Sequence, residues 1–292
     1  MKFSIIGASR ICSLYIDIFR EEGDEIVSVF SRNAKHLKKF CFKKKIDIFS
    51  NNIEKFYEQS SKAQAIFILN KPQDHIFFLK KIINLNTYVF IEKPISDNYD
   101  EFIKNQNLFL NNKLKISTNY RNNIILSKMK DSNKKFKRIF FELKIKSTDI
   151  KYFIYNNLFH YLDLSRWFSN TNEKLKKIKI IKKRNNNFKI IYKLSNIHFH
   201  INCTNKKYFI PKIKFYTKNN LITYRFELFK FFFSNINYKK LFFKYTIKKE
   251  IRKFKYIINS NLLIKNQDFN RLIMSDLESI SKKYFLKNLK TN

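Results

Sequence analysis

Apolar runs of four or five residues alternate with amphipathic stretches through the first 118 positions. Residues 3–6 read as a buried strand, followed by Gly7 and a helical pattern through Ile11, Leu14, Tyr15, Ile18 and Phe19. Residues 25–30 form the next strand, 35–42 and 53–59 read as helices, and 65–69 is a continuous apolar strand. A helix over about 75–83, a strand over 88–91, a helix over 98–110 and a strand over 114–118 complete the series. Buried strands of this length between helices predict a parallel sheet covered on both faces and joined by right-handed crossovers. Residues 1–118 are therefore expected to form one α/β domain.

Beyond that point the period changes. Phe141, Leu143 and Ile145 alternate with Glu142, Lys144 and Lys146. Phe188, Ile190, Tyr192 and Leu194 share one strand face, and Ile213 and Phe215 alternate with Lys212 and Lys214. Such strands predict a mainly antiparallel, half-exposed sheet. Helices are expected near 158–168 and 268–284. The fold class is α/β: an N-terminal parallel-sheet domain over 1–118, then an α+β domain with an open sheet over 119–292.

The chain has 292 residues, 44% of them hydrophobic, which is ample for a core and excludes wholesale disorder. Cys12, Cys41 and Cys203 are too few and scattered for a disulfide scaffold or a cysteine zinc site, so a reducing, cytoplasmic setting is expected. Residues 1–7 read as a strand and turn rather than a leader, and no apolar run reaches the length of a membrane span. The net charge is +37, carried unevenly: residues 1–100 balance at +4 and residues 101–292 at +33. Lys, Ile, Asn, Phe and Tyr all use A/T-rich codons, so compositional drift accounts for much of this charge. The alternative is a polyanion-binding module.

The order strand, Gly7-Ala8-Ser9-Arg10-Ile11-Cys12, helix is where a dinucleotide-binding turn sits, with helix N-terminal amides facing a pyrophosphate. Of the usual Gly-x-Gly-x-x-Gly only Gly7 is present; Ser9 and Cys12 fill the other two positions. An ordinary strand-to-helix turn is the other reading. After the second strand, where NAD sites place an acid, stand Ser31, Arg32 and Asn33. A hydroxyl and a guanidinium suit a 2′-phosphate, favouring NADP over NAD. The alternative for Arg32 is a solvated turn residue.

Taken with Pro72-Gln73-Asp74-His75, Glu92-Lys93-Pro94, Asn119-Tyr120-Arg121 and the segment from His160 to Phe168, these features resemble the glucose–fructose oxidoreductase and inositol dehydrogenase family. The resemblance runs over nearly the whole chain. It implies a Rossmann domain, a C-terminal domain that binds substrate, and hydride transfer at a hydroxyl or keto carbon of a sugar or sugar nucleotide. Lys93 matches the family's lysine beside the nicotinamide and the substrate hydroxyl. His160 matches the active-site histidine, and Asp163 its structural carboxylate. Asn156 stands where the family's dehydrogenases commonly carry aspartate; an amide orients a hydroxyl but takes no proton. Lys93, His160 and Asn156 form the expected catalytic set, joined by Arg121 for substrate. Arg121 is equally suited to pairing with a buried carboxylate. The expected cofactor contacts are Gly7, Ser9, Arg10, Ile11, Ser31, Arg32, Asn70, Pro72, His75, Glu92 and Lys93. Glu92 is expected to brace its turn, His75 to cap or pack the following helix, and Arg166 and Trp167 to anchor theirs.

The resemblance also implies a homo-oligomer, dimer or tetramer, and a small-molecule partner rather than a specific nucleic acid or a membrane. A non-catalytic relative, acting as a ligand-binding or partner subunit, is the alternative that Asn156 favours. Two further patterns carry little. His198 and His200 point the same way along a strand, but no third metal ligand accompanies them. The basic stretch 174–184 reads as a lysine-coated strand rather than a nucleic-acid patch.

Overall fold

A computed structural model describes the chain except residues 133, 146–148, 184–186, 206–211, 219, 226–237, 265–267 and 290–292. The chain divides into two compact units, Met1–Ser117 with Lys244–Gln267, and Thr118–Phe243 with Asp268–Asn292.

The first unit follows the expected alternation. Its elements are β1 (Lys2–Ile6), α1 (Arg10–Glu21), β2 (Glu25–Phe30), α2 (Ala34–Lys43), β3 (Phe49–Ser50), α3 (Ile53–Gln59), β4 (Ala65–Ile68), α4 (His75–Ile82), β5 (Tyr88–Ile91), α5 (Tyr99–Lys104) and β6 (Leu114–Ile116). The six strands are parallel in the order β3-β2-β1-β4-β5-β6. That is the doubly wound order, which reverses direction between β1 and β4. Every residue of β4 and β5 is buried, as a sheet covered on both faces requires. The abundant asparagines have a local use: Asn33, Asn52 and Asn98 cap α2, α3 and α5 by accepting from first-turn amides. The expected helix over 98–110 breaks at Asn105 and continues as a 3-10 turn over Gln106–Leu110.

In the second unit, α6 (Ile124–Asp131), β7 (Arg138–Lys144), α7 (Ile150–Phe153) and α8 (Phe159–Ser169) precede four more strands, β8 (Lys176–Lys182), β9 (Phe188–Leu194), β10 (Ile197–Thr204) and β11 (Lys212–Tyr216), and then β12 (Leu221–Arg225). Their order is β12-β11-β7-β10-β9-β8. Four of the five pairings are antiparallel and β7–β10 is parallel, so the sheet is mixed. Its strict alternation buries Phe141, Ile190, Tyr192, Phe199, Ile201 and Phe215 on one face. Helix α8 is locked by Arg166, which is fully buried and donates from Nε to Asp276 at 2.9 Å. Asp276 lies on α10 (Asp268–Leu289), and burial lifts its carboxyl to about 6 against the pull of Arg166. The expected anchoring role of Arg166 is thus visible. The lysine-coated strand is β8; Arg184, the end of the basic stretch, lies outside the described residues. Among the described residues no helix is long and apolar enough to cross a membrane.

One element was not anticipated. Helix α9 (Tyr238–Asn259) sends residues 244–259 into the first unit, although the sequence reading kept all of 119–292 together. Lys244, Lys248, Arg252 and Lys255 recur at helical spacing and meet Glu21, Glu22 and Asp24 at the end of α1. Hydrogen bonding from Arg252 outweighs burial and holds the Glu22 carboxyl at about 2. Its stabilising effect is therefore complete above the ordinary glutamate range, near 4.5, and is lost as pH falls toward 2. Urea unfolding should show Arg252→Ala less stable than wild type at pH 6, with the gap closing steadily below pH 4.5. A gap independent of pH would show that Glu22 is not the partner that matters.

Candidate functional site

In the first unit the candidate groups gather at the carboxyl ends of β1, β4 and β5. Gly7 ends β1 with φ +135°, a conformation open to glycine, and donates its N–H to the Phe30 carbonyl at 2.8 Å. A Cβ there would lie 2.8 Å from Cys12 Sγ and 3.2 Å from the Leu69 carbonyl. The backbone of β4's end therefore closes directly over the turn. Ser9 caps α1, its Oγ accepting from Cys12 N at 3.4 Å, and the helical ladder begins only at Ser13 N. The amides of Arg10 and Ile11 precede that ladder at the helix N-terminus. Cys12 fills the third glycine position by turning its sulfur to the Leu69 carbonyl, 3.5 Å away. Burial pushes its thiol up to about 11, so it packs rather than reacts.

The loop after β4 carries Asn70, whose side-chain oxygen and nitrogen are both buried without a hydrogen-bond partner. An amide left so is costly and calls for a polar ligand. Together with the crowded glycine turn it fits the residues of this unit to a dinucleotide. Pro72 opens the 3-10 turn Pro72–Asp74. His75 is buried, with Nδ1 2.8 Å from the Pro94 carbonyl and Nε2 3.1 Å from the Asn70 carbonyl. Burial lowers it to about 4, so at neutral pH one nitrogen donates and the ring joins the loops after β4 and β5.

Lys93 follows β5 and precedes Pro94 through a cis peptide. Glu92 braces this turn as expected: it is buried, accepts from Tyr15 Oη at 2.6 Å and takes the Lys93 amide at 3.1 Å. Burial draws the Lys93 ammonium down to about 8, with the Glu92 carboxylate pulling the other way. Ser117 reaches Tyr15 and donates to Glu250 of α9 at 3.1 Å. Tyr15, Ser117 and Glu250 were not singled out in the sequence. After β2, Ser31 continues the backbone pairing to Ser50, and the exposed Arg32 forms an ion pair with Asp74. His36, also unforeseen, donates from Nε2 to the Ala8 carbonyl at 2.8 Å and ties α2 to the glycine turn.

In the second unit the turn Asn119–Asn122 engages α8 with two consecutive residues. Tyr120 stacks on the imidazole of His160, ring centroids 4.0 Å apart and planes within 3°. Arg121 donates from Nε to Asp163 Oδ2 at 2.9 Å and from Nη2 to Oδ1. Of its two readings the structure shows the second, a guanidinium paired with a buried carboxylate. Asn156 lies in a π-helical turn, Ile154–Leu158, directly before α8 and donates to Tyr152 Oη at 3.0 Å. Such wide turns recur at functional sites because they re-aim side chains. His198 and His200 lie on β10, where His200 stacks on Phe140. Among the described residues no cluster of three or more His, Cys, Asp or Glu could hold a metal.

Residues 1–120 match the family described as "Oxidoreductase family, NAD-binding Rossmann fold". No curated protein matches the chain by sequence. Among solved structures, a myo-inositol dehydrogenase from Corynebacterium glutamicum is similar with a TM-score of 0.79 at 10% identity, over 97% of this chain and 96% of that one. A myo-inositol dehydrogenase from Lactobacillus casei, solved with NAD(H) and myo-inositol, gives 0.79 at 12% identity over 97% and 94%. A dehydrogenase from Clostridium difficile gives 0.75 at 17% identity over 97% and 99%.

The crowding at residue 7 yields a direct test. Gly7→Ala should destabilise the protein by about 1–3 kcal/mol in urea unfolding, from the left-handed backbone and the clash together. Adding Cys12→Ala should recover only part of that loss, since the Leu69 backbone still blocks the methyl group. Full recovery would place the strain on the sulfur alone.

Proposed function

We propose that this chain is an NAD(P)-dependent oxidoreductase that interconverts a hydroxyl and a keto group on a sugar-like substrate, a reading supported by the match of residues 1–120 to the oxidoreductase family with an NAD-binding Rossmann fold. Lys93 carries the proposal. An amine held near 8 exchanges protons close to neutral pH, which an ordinary surface lysine does not. Its turn is fixed by Glu92 and Tyr15, so the ammonium has a defined origin. The polyol class is supported by the Lactobacillus casei structure with myo-inositol.

When bound, the nicotinamide supplies hydride acceptance or donation at the reacting carbon. The chain's own residues do the rest. Gly7, Ser9, Arg10 and Ile11 offer backbone room and amides for the pyrophosphate, and Asn70 supplies an amide with unmet bonding capacity. Arg32 reads a 2′-phosphate, which makes NADP the preferred cofactor. Lys93 hydrogen-bonds the substrate oxygen and accepts its proton in oxidation; His160 shares that proton handling. Tyr120 and the Arg121–Asp163 pair set the imidazole plane and the helix that bears it, and Asn156 orients the substrate ring.

Fluorescence titration with NADPH and NADH, followed by a screen of inositols and sugar derivatives, tests the reading. Lys93→Ala should lower turnover by roughly 10²–10⁴-fold and change dinucleotide affinity by less than about twofold. Alcohol oxidation needs the neutral amine, so its rate should rise with pH through about 8; ketone reduction needs the ammonium and should fall there. Lys93→Ala should lack that inflection, and an unaltered profile removes Lys93 from the chemistry. Firm dinucleotide binding with no turnover across the screen would instead support the ligand-binding relative that Asn156 favours.

A further inference from the structure

We propose that Asp74 sets how far this chain prefers NADP to NAD, by holding Arg32 in an ion pair with which the cofactor's 2′-phosphate must compete. The inference rests on the dinucleotide reading above and concerns a residue outside the expected cofactor set. Arg32 leaves the carboxyl end of β2 and Asp74 follows β4, the two strands on either side of β1. The pair therefore bridges the loops that flank the glycine turn. Arg32 Nη2 meets Asp74 Oδ2, and the guanidinium carbon lies 6.0 Å from the centroid of the Phe78 ring. Asp74 stands at the N-cap of α4, yet its side chain makes no capping bond to that helix. Its carboxylate faces the arginine instead.

The charges decide the outcome. A 2′-phosphate is a dianion and takes a guanidinium through two parallel N–H bonds. To do so here it must displace a carboxylate or lie beside it. The Arg32 side chain is 65% exposed and that of Asp74 21%, so the pair is weak enough to open. NADP thus keeps an advantage, reduced by the cost of breaking the pair. NAD brings no phosphate and leaves the pair undisturbed.

Replacing the carboxylate with its isosteric amide keeps the shape of a side chain that makes no capping bond to the helix and removes its charge. In fluorescence titrations at one fixed ionic strength, Asp74→Asn should tighten NADPH by about 3–10-fold and change NADH by less than about twofold. Arg32→Ala should weaken NADPH by about 10-fold or more with NADH little changed. In the Arg32→Ala background, Asp74→Asn should lose most of its effect on NADPH, since no arginine remains to release. An unchanged NADPH-to-NADH ratio in Asp74→Asn overturns the proposal while leaving Arg32 as the phosphate reader. The same gain with and without Arg32 also overturns it, because simple repulsion between carboxylate and phosphate would then be the cause. A wild-type chain that binds neither dinucleotide overturns the functional reading and this inference together.

Discussion

No side chain fits at residue 7, and the geometry of the first unit follows from that. β1 is registered on both sides, Ile6 beside Phe30 of β2 and beside Ile68 of β4. The chain leaving β1 must therefore turn within the space those neighbours leave. The Leu69 carbonyl closes that space from one side and Cys12 from the other. A glycine at φ +135° makes the turn and lets α1 begin at the carboxyl end of β1, with its first amides at the helix N-terminus. The two departures from the usual glycine spacing are absorbed locally: Ser9 becomes the helix cap, and the Cys12 sulfur settles against a backbone carbonyl.

A second constraint lies beneath the Lys93 turn. Two carboxylates, Glu92 and Glu250, are buried in one unit. Buried carboxylates need partners, and here Tyr15 donates to Glu92 and Ser117 to Glu250, with the Lys115 ammonium 4.0 Å from Glu250. Glu250 comes from α9, far along the chain. The same helix sets Phe254 against Phe67 and Phe90, ring centroids 5.7 and 5.5 Å away. The unit that carries Lys93 is thus completed, in both its polar and apolar parts, by a segment that follows the second sheet.

Local pattern made the first half legible. The strands at 25–30 and 88–91 and the helix at 53–59 match the observed elements residue for residue: the strands are mostly or wholly buried apolar runs, and Asn52 caps the helix. The glycine turn, Glu92 and the helix bearing His160 and Asp163 were also readable, since each lies in a short contiguous motif. What was not readable depends on pairing between distant segments. The parallel β7–β10 contact leaves the alternation of either strand unchanged. The return of α9 carries no period that distinguishes one unit from the other. The Arg121–Asp163 pair spans 42 residues, and sequence left it level with a ligand contact. Nothing local to His75 shows that two backbone carbonyls meet its ring.

The charge balance bears on which residues hold such information. With 60 basic and 23 acidic side chains, a lysine or arginine at any position is unremarkable and an acid is not. The acids take up specific partners: Asp24 with the N-terminal amine and Lys255, Glu22 with Lys248 and Arg252, Glu142 with Lys212 and Lys214, Asp163 with Arg121, Asp276 with Arg166. Each places a long cationic side chain that compositional drift alone would leave unplaced. Part of the +33 excess in the later residues is in this way committed to the fold, through α9 above all. This weakens the polyanion reading, which needs that charge to be unclaimed and gathered on one surface. In a chain this basic the positional signal lies in the acids, and three residues to which the sequence assigned no role, Asp74, Glu250 and Asp276, are of that kind.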